Sequence, residues 1–582
     1  MFGILAKSIR EYKRSSILAP VFVALEVIIE CIMPFITAKL VNTIDNGDFD
    51  MPTLYKYAAI LVVLAAAALC CGALSGHFCA IASCGFAKNL RHDIYCKIQN
   101  FSFSNIDKFS TSSLVTRLTT DINNIQMSYM MIIRTAVRSP LMLIFAFTMA
   151  IVVGGSISIA FAVIIPFLAV GLLLIIKNSW GIFHAVFKKY DNLNNSIQEN
   201  VSGMRVVKAF VREEHEVGKF NRASDEVCAD FTKAEKIIAL NNPLMQFAIH
   251  ALMISICFFG SRLIITSRES ALEVGDLSSL IIYGIQILMS LMILSMIVVM
   301  IAMSVASAKR VVEVLTEEPS IVNPDSPVLE VKDGSIEFSD VSFKYSESAE
   351  RNALENINIS IASGETVGII GGTGSSKTTL VQFIPRLYDV CTGSVKVGGV
   401  DVRDYDIETL RDNVAMVLQK NLLFSGTIKE NLRWGDPDAS DEEIARICRL
   451  AQAEEFIEKF PDKYDTYIEQ GGTNVSGGQK QRLCIARALI KKPKILILDD
   501  STSAVDTKTD ALIRRAFAKE IPNTTKIIIA QRISSVSDAD KIIVMDNGHI
   551  ESVGNHEYLL EHSPIYREVY ESQVKGGDSD EE

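Results

Sequence analysis

Residues 371–379 read GGTGSSKTT, directly after the apolar run Thr366–Ile370 and before a helical stretch that opens near Lys377. A glycine-rich loop between a strand and a helix aims backbone N–H groups and a helix N-terminus at a polyphosphate. The candidate phosphate-binding residues are Gly371, Gly372, Thr373, Gly374, Ser375, Ser376, Lys377, Thr378 and Thr379. Lys377 is placed to reach β/γ-phosphates as a mobile point charge, and the Thr378 hydroxyl to ligate Mg²⁺. Ser376 stands where the pattern G-x-x-x-x-G-K-[ST] has its second glycine. Gly371, Gly372 and Gly374 remain, so the loop is expected to close.

Further motifs gather around this loop. Tyr345 follows an apparent strand, Ser335–Phe343, and offers an aromatic face on which adenine can stack. ILILDD, residues 495–500, is an apolar strand ending in two carboxylates, and such a strand delivers Asp499 to the sheet edge where a Mg²⁺ ion is held. Gln419, in MVLQKNLLF, follows another short strand and can contact Mg²⁺ or an attacking water. VSGGQ, residues 475–479, precedes a helix expected to start near Lys480. Ser476, Gly477, Gly478 and Gln479 make a second anion-binding helix end. One chain needs only one phosphate loop, so the simplest use for this second end is to serve ATP held by another subunit. Alternating strands and helices to about residue 572 indicate an α/β domain with a parallel core sheet.

The first half of the chain has a different composition. Residues 17–310 carry long apolar stretches, and the chain as a whole is 49% hydrophobic. Six stretches, near 17–44, 55–85, 132–153, 157–177, 244–266 and 277–306, reach the roughly 20 residues needed to cross a bilayer. The connection 42–52 carries Asp45, Asp48 and Asp50 without Lys or Arg, whereas 86–131 and 178–243 are rich in both. The positive-inside rule then puts both termini and both long connections in the cytoplasm of a multi-pass membrane protein. These connections keep helical periodicity and read as continuations of the membrane helices, with turns near 105–112 and 209–216. MFGILAKSIREYKR, at the N-terminus, reads as a basic amphipathic helix lying on the bilayer face.

The expected division is a six-span all-α transmembrane domain over residues 1–318, a proline-containing linker over 319–330, an α/β nucleotide-binding domain over 331–572 and an acidic tail over 573–582. The net charge of −11 gives no reason to expect a nucleic-acid partner. The cysteines lack any C-x-x-C pair, which disfavours a metal or redox site.

This set of motifs resembles the nucleotide-binding domain of the ATP-binding cassette (ABC) superfamily. The order of six spans, then ENVSGMRVVKAFVREE at 199–214, then the cassette, is similar to the multidrug, lipid and peptide exporter half-transporters. The resemblance implies two halves per transporter and two ATP molecules held head-to-tail between them. Each site would take its phosphate loop and metal carboxylate from one half and its SGGQ from the other. It also implies a nucleotide-site role for Asp506, coupling helices near 105–112 and 209–216, and ATP-driven export of a drug, lipid or peptide across the membrane.

Two positions depart from the family pattern. Asp500 replaces the Glu that polarises the attacking water, and Gln531 replaces the switch His. Shortening Glu to Asp withdraws the carboxylate by about 1.5 Å, and misplacement by about 1 Å can cost on the order of a hundredfold in rate. Gln cannot carry the proton or positive charge that His can. With SGGQ intact, these changes suggest a heterodimer in which a second half-transporter supplies the Glu and the His. This chain's own site, with Asp500, Gln531 and Gln419 as its catalytic set, would hydrolyse slowly. A homodimeric exporter and an ATP-gated regulatory or channel-like subunit are the alternatives.

Cargo residues are less defined. Met289, Met292, Met296, Met300 and Met303 recur at three or four residues in the sixth span, within an arc of roughly 80° at about 100° per residue. Such a flexible, polarisable stripe suits an apolar or amphipathic cargo, and equally suits packing against helices or membrane lipid. Glu26 and Glu30 lie four apart on the first span and either favour cationic cargo or pair with Arg134 or Arg138.

Overall fold

The computed structural model describes all residues except 48–49, 268–271, 347–348, 501–504 and 578–582. The described chain falls into two compact units. One comprises Met1–Asn100 and Ser110–Glu317; the other comprises Phe101–Phe109 and Glu318–Glu582.

The first unit is all helical. Five stretches are long and apolar enough to cross a membrane, and the one over Thr111–Ser179 is split where Gly155 takes φ +47°. Only a residue without Cβ turns there without strain, so Thr135–Gly154 and Ile159–Ser202 become separate helices. With Lys13–Asp45, Met51–Gln99, Asn241–Ser267 and Val274–Thr316, six long apolar helices are present among the described residues. Asp50 starts the second of these by accepting from the Thr53 N–H at 2.9 Å, with Pro52 in the first turn, where its missing N–H costs nothing. That helix then runs unbroken for 49 residues. The long connections are therefore in large part extensions of the span helices, as the periodicity suggests.

Two ion-pair clusters fasten this bundle. Arg138 on Thr135–Gly154 bonds Glu26 at 2.8 Å and both oxygens of Glu30 at 2.8 Å. Further along, the fully buried Asp121 accepts from Nε and Nη2 of Arg310, while Arg117 bonds the Arg310 carbonyl at 2.7 Å and Glu313 at 2.9 Å. The N-terminal segment is not one continuous helix. Arg10, at φ 41°, breaks it as Ser8 and Arg10 both reach Asp93, at 2.7 and 2.5 Å.

The second unit contains two main sheets. Four strands form an antiparallel sheet in the order β2-β1-β4-β5: β1 Ile336–Phe343, β2 Leu354–Ile361, β4 Thr392–Val397 and β5 Val400–Asp401. A six-stranded sheet runs β12-β11-β3-β10-β9-β6. Its members are β3 Thr366–Gly371, β6 Val414–Val417, β9 Ile495–Asp499, β10 Thr525–Ile529, β11 Lys541–Asp546 and β12 His549–Gly554. A short ribbon pairs β7 Gly426–Thr427 with β8 Tyr467–Ile468. The parallel core expected from sequence is present, with β12 antiparallel on its edge. The separate antiparallel sheet is an addition that the alternating pattern of β1 alone did not disclose.

Apolar runs such as ILIL in β9 mark strands covered on both faces. Ile495 and Ile497 join one core with Val367 and Ile369, while Leu496 and Leu498 join the other with Leu483 and Ile528. Each such side chain contributes about 1.5–3 kcal/mol by leaving water. Parallel pairing puts Ile529 opposite both Ile369 and Asp499, so β9 and β10 end level while β3 runs on to Gly371. The residues just beyond these ends are consequently brought together.

The closing helix, Pro564–Gly577, extends through residues that the sequence assigns to the tail; 578–582 lie outside the described residues.

Candidate nucleotide site

Beyond β3 the chain forms the loop Gly371–Ser376 and enters the helix Lys377–Gln382. Gly374 sits at φ +84° and Ser376 at φ +67°. The loop therefore closes with a serine in the left-handed region, where a Cβ costs roughly 1–2 kcal/mol. Lys377 Nζ donates to the carbonyls of Gly371 and Gly372, both at 2.8 Å. Burial pushes the Lys377 pKa down, opposed by the charges of Asp499 and Asp500.

At the end of β9, Asp499 is 2% exposed. One of its oxygens accepts from the Thr378 hydroxyl at 3.0 Å, and the other is buried without a hydrogen-bond partner. Burial raises the Asp499 pKa, as does the charge of Asp500, against the Thr378 hydrogen bond and Lys377. A buried carboxylate oxygen without a partner, beside a threonine hydroxyl, is a donor set of the oxygen type that Mg²⁺ takes. The residues present thus fit the ion.

The next residue, Asp500, takes φ +47°. Its Oδ2 accepts from Gln531 Nε2 at 2.8 Å and, more weakly, from Gln419 Nε2 at 3.5 Å. The three residues proposed as the catalytic set, from the ends of three strands, therefore meet at one oxygen. Burial raises the Asp500 pKa, and the two amide hydrogen bonds oppose that rise.

Tyr345 is 54% exposed, with its hydroxyl 2.9 Å from Thr379 Oγ1 and its ring edge-on to Phe343 and Tyr388. The helix carrying SGGQ starts at Gly477, earlier than the sequence suggests. Ser476 and Gln479 close a capping box across its first turn, which moves the start: Ser476 N–H donates to Gln479 Oε1 at 2.9 Å, and Gln479 N–H to Ser476 Oγ at 3.3 Å. Gly477 and Gly478 occupy the first two helical positions. Asp506 caps the helix Thr507–Glu520 by accepting from Thr509 N–H at 2.9 Å.

Residues 16–291 match the family described as ABC transporter transmembrane region, and 354–503 match the family described as ABC transporter. Over 567 residues, 97% of each chain, the sequence is 35% identical to the ABC transporter ATP-binding protein YfiB of Bacillus subtilis. The chain belongs to the ABC transporter family. This transporter is also 32% identical, over 84% of each chain, to the ATP-dependent lipid A-core flippase of Desulfotalea psychrophila. The fold is similar to that of a bacterial Atm1-family ABC exporter with ATP bound, at a TM-score of 0.82 over 97% of this chain and 98% of that one, with 23% identity.

The fold class is therefore a helical transmembrane domain followed by an ABC nucleotide-binding domain, in a multi-pass membrane protein. An ABC nucleotide-binding domain implies that ATP is bound; the phosphate loop, Lys377, Thr378 and Asp499 are the residues that would hold its phosphates and a Mg²⁺ ion. Held by Thr378 and Asp499, such an ion would supply positive charge against the negative charge of the phosphates. Asp500 and Gln419 would be the residues to orient a water there, with Gln531 holding Asp500 through its hydrogen bond.

Outside the nucleotide site, the carboxylates of Glu26 and Glu30 are engaged by Arg138, which is the pairing alternative rather than a free cationic-cargo site. Arg134 is not their partner in any of these bonds. Along the methionine stripe, Met289 and Met296 are exposed, Met300 is half-buried and Met292 packs against the bundle core; the side chain of Met303 lies outside the described residues. The stripe is thus only partly available to a ligand.

Sequence reasoning missed two residues. Gln481, 3% exposed, donates to the Asp500 carbonyl at 3.4 Å and holds the backbone of that residue. Tyr388 packs on Tyr345. A Gln and a Tyr inside helical or loop sequence carry no spacing signal, so neither could be found from the chain alone.

Proposed function

We propose that this chain is the weakly hydrolytic half of a heterodimeric ATP-driven exporter for an apolar or amphipathic cargo. One observation carries the reading: the hydrogen bond of 2.8 Å between Asp500 and Gln531. The shortened carboxylate is held by an amide in the position where the family has a cation-capable His. Its lone pair is thereby committed to a neutral donor, and the group that should face a water is drawn toward Gln531. The signature helix, in contrast, retains SGGQ with its capping box intact. A second half-transporter bearing Glu and His would use that helix end to complete a competent site, with both termini of each half in the cytoplasm. ATP closure would switch the membrane helices outward, and hydrolysis at the partner's site would reset them.

An amphipathic lipid falls within the cargo class, in keeping with the flippase named above among the relatives. Proteoliposomes test direction and cargo: an exporter accumulates a fluorescent lipid or dye against its gradient, whereas an ATP-gated pore only equilibrates it. For the division of labour, the chain is purified alone and its phosphate release measured. Turnover at the level of a competent exporter would remove the heterodimer argument.

A further inference from the structure

The closing helix, Pro564–Gly577, carries an apolar face at the spacing that packs a helix against a core. Tyr566 is fully buried, and Val569 and Tyr570 pack against the same core as Ala530 and Ile533, which follow β10. The next position on that face is Gln573, the first residue of the stretch that the sequence assigns to the tail. Its side chain meets the main chain of the loop between β10 and the short 3₁₀ turn Ile533–Ser535. Gln573 Nε2 donates to the Gln531 carbonyl at 2.8 Å, and Gln573 Oε1 accepts from Ile533 N–H at 2.9 Å.

Ile533 opens its turn, so its N–H has no acceptor within that turn. An amide is the neutral side chain that offers a donor and an acceptor side by side. Turned over, it would set Nε2 against an N–H and Oε1 against a carbonyl, so only one orientation satisfies both groups. The two groups flank Arg532, and one of them belongs to Gln531 itself. At its other end Gln531 donates from Nε2 to Asp500 Oδ2 at 2.8 Å. A chain of contacts thus runs from the closing helix, through the Gln531 main chain, to the Asp500 carboxylate. A glutamine that only ended an amphipathic face would turn its amide to water. Here both ends of an exposed amide are engaged by the main chain of one loop. The Gln531 side chain is long and flexible, so its amide aims at one oxygen only where its backbone is held by such outer contacts.

We infer that Gln573 is a positioning residue that clamps the main chain at Gln531 and Ile533 and so sets the Gln531 amide against Asp500. This role rests on Asp500 and Gln531 belonging to the ATP site, as proposed above. The test uses the full-length chain in lipid nanodiscs and reads phosphate release from labelled ATP in a single turnover, nucleotide affinity and melting temperature. A hydrogen bond of this kind holds its group by a factor of roughly two to ten. Gln573→Leu, which removes both bonds and keeps the bulk, should therefore change phosphate release by about threefold, with nucleotide affinity and melting temperature unmoved. In a Gln531→Ala chain, which lacks the amide being aimed, the same substitution should have no effect on release, since residues that act through one another are not additive. An equal effect in both chains, or none in the unaltered one, would overturn the inference. So would a change of the same size in Val569→Ala, which loosens the packing of the helix and leaves both bonds in place. Amide hydrogen exchange of the 530–534 peptide needs no turnover: Gln573→Leu should speed it by about threefold, and an unchanged rate would also overturn the inference. The sign of the change in release tests the reading above separately. With Gln531 drawing Asp500 from a water, release should rise; a fall that vanishes in Gln531→Ala would keep the role of Gln573 and remove that reading.

Discussion

Asp500 and Gln531, which lie 31 positions apart in the chain, share a hydrogen bond of 2.8 Å from the Gln531 amide to Asp500 Oδ2. Read from the sequence they are two separate departures from a family pattern. In the folded protein they are a single altered contact, because β9 and β10 pair in register and end level. Residues joined in this way are expected to act together rather than additively.

Restoring the pair should therefore show coupling. Asp500→Glu alone is expected to raise ATP turnover of the isolated chain, and Asp500→Glu with Gln531→His to raise it by more than the product of the single changes. The combined gain should approach roughly a hundredfold, the cost of misplacing a reacting group by about 1 Å. Steady-state phosphate release by the four proteins checks this, and strictly multiplicative effects would contradict the shared contact.

Ser376 at φ +67° suggests a stability test. Ser376→Gly relieves left-handed strain of roughly 1–2 kcal/mol, offset in part by the greater freedom glycine has when unfolded. A net gain of up to about 1 kcal/mol is expected, read as a higher melting temperature in detergent. Ser376→Val should destabilise the domain, since a β-branched residue tolerates positive φ least.

The raised pKa of Asp499 sets a pH dependence. Metal ion and proton compete for the same carboxylate. A pKa above the ordinary 3.8 means that protonation begins to displace the ion at a higher pH than for an exposed aspartate. The Mg²⁺ concentration needed for half-maximal nucleotide binding should rise as pH falls from neutral into the mildly acidic range. Asp499→Asn should leave only the slope that belongs to ATP itself. Fluorescent nucleotide titration at a series of pH values measures both.

Arg138 neutralises two carboxylates within the helical bundle. Arg138→Ala strands them; because the cluster is only partly buried, the cost should fall below the about 3–5 kcal/mol of breaking a fully buried pair. Replacing all three by neutral groups of similar size, Arg138→Met with Glu26→Gln and Glu30→Gln, should recover most of the loss. Thermal unfolding in detergent gives the comparison. Loss of transport of cationic cargo by the triple variant, with stability recovered, would return Glu26 and Glu30 to the cargo path.

Much of this was legible in the chain because the signals are local. Spans follow from runs of apolar residues, the loop from glycine spacing, and the order of domains from composition. The start of the signature helix was placed late because the capping box depends on side-chain geometry at Ser476 and Gln479 that spacing alone does not show. The second sheet was missed because β1 pairs on one side with the next strand, β2, and on the other with β4, far along the chain. Convergence of Gln419, Asp500 and Gln531 depends on strand register, which no window of sequence contains. Glu26 and Glu30 remained ambiguous for a similar reason, since their partner lies 108 to 112 positions away.

As the proposed base-stacking residue, Tyr345 would offer a purine only the flat of its ring, since its hydroxyl is already tied to Thr379. Stacking on an aromatic face is tolerant of which base is stacked. Guanine and adenine nucleotides would then be accepted with little preference, and the fuel this machine burns would be decided by their relative abundance in the cell.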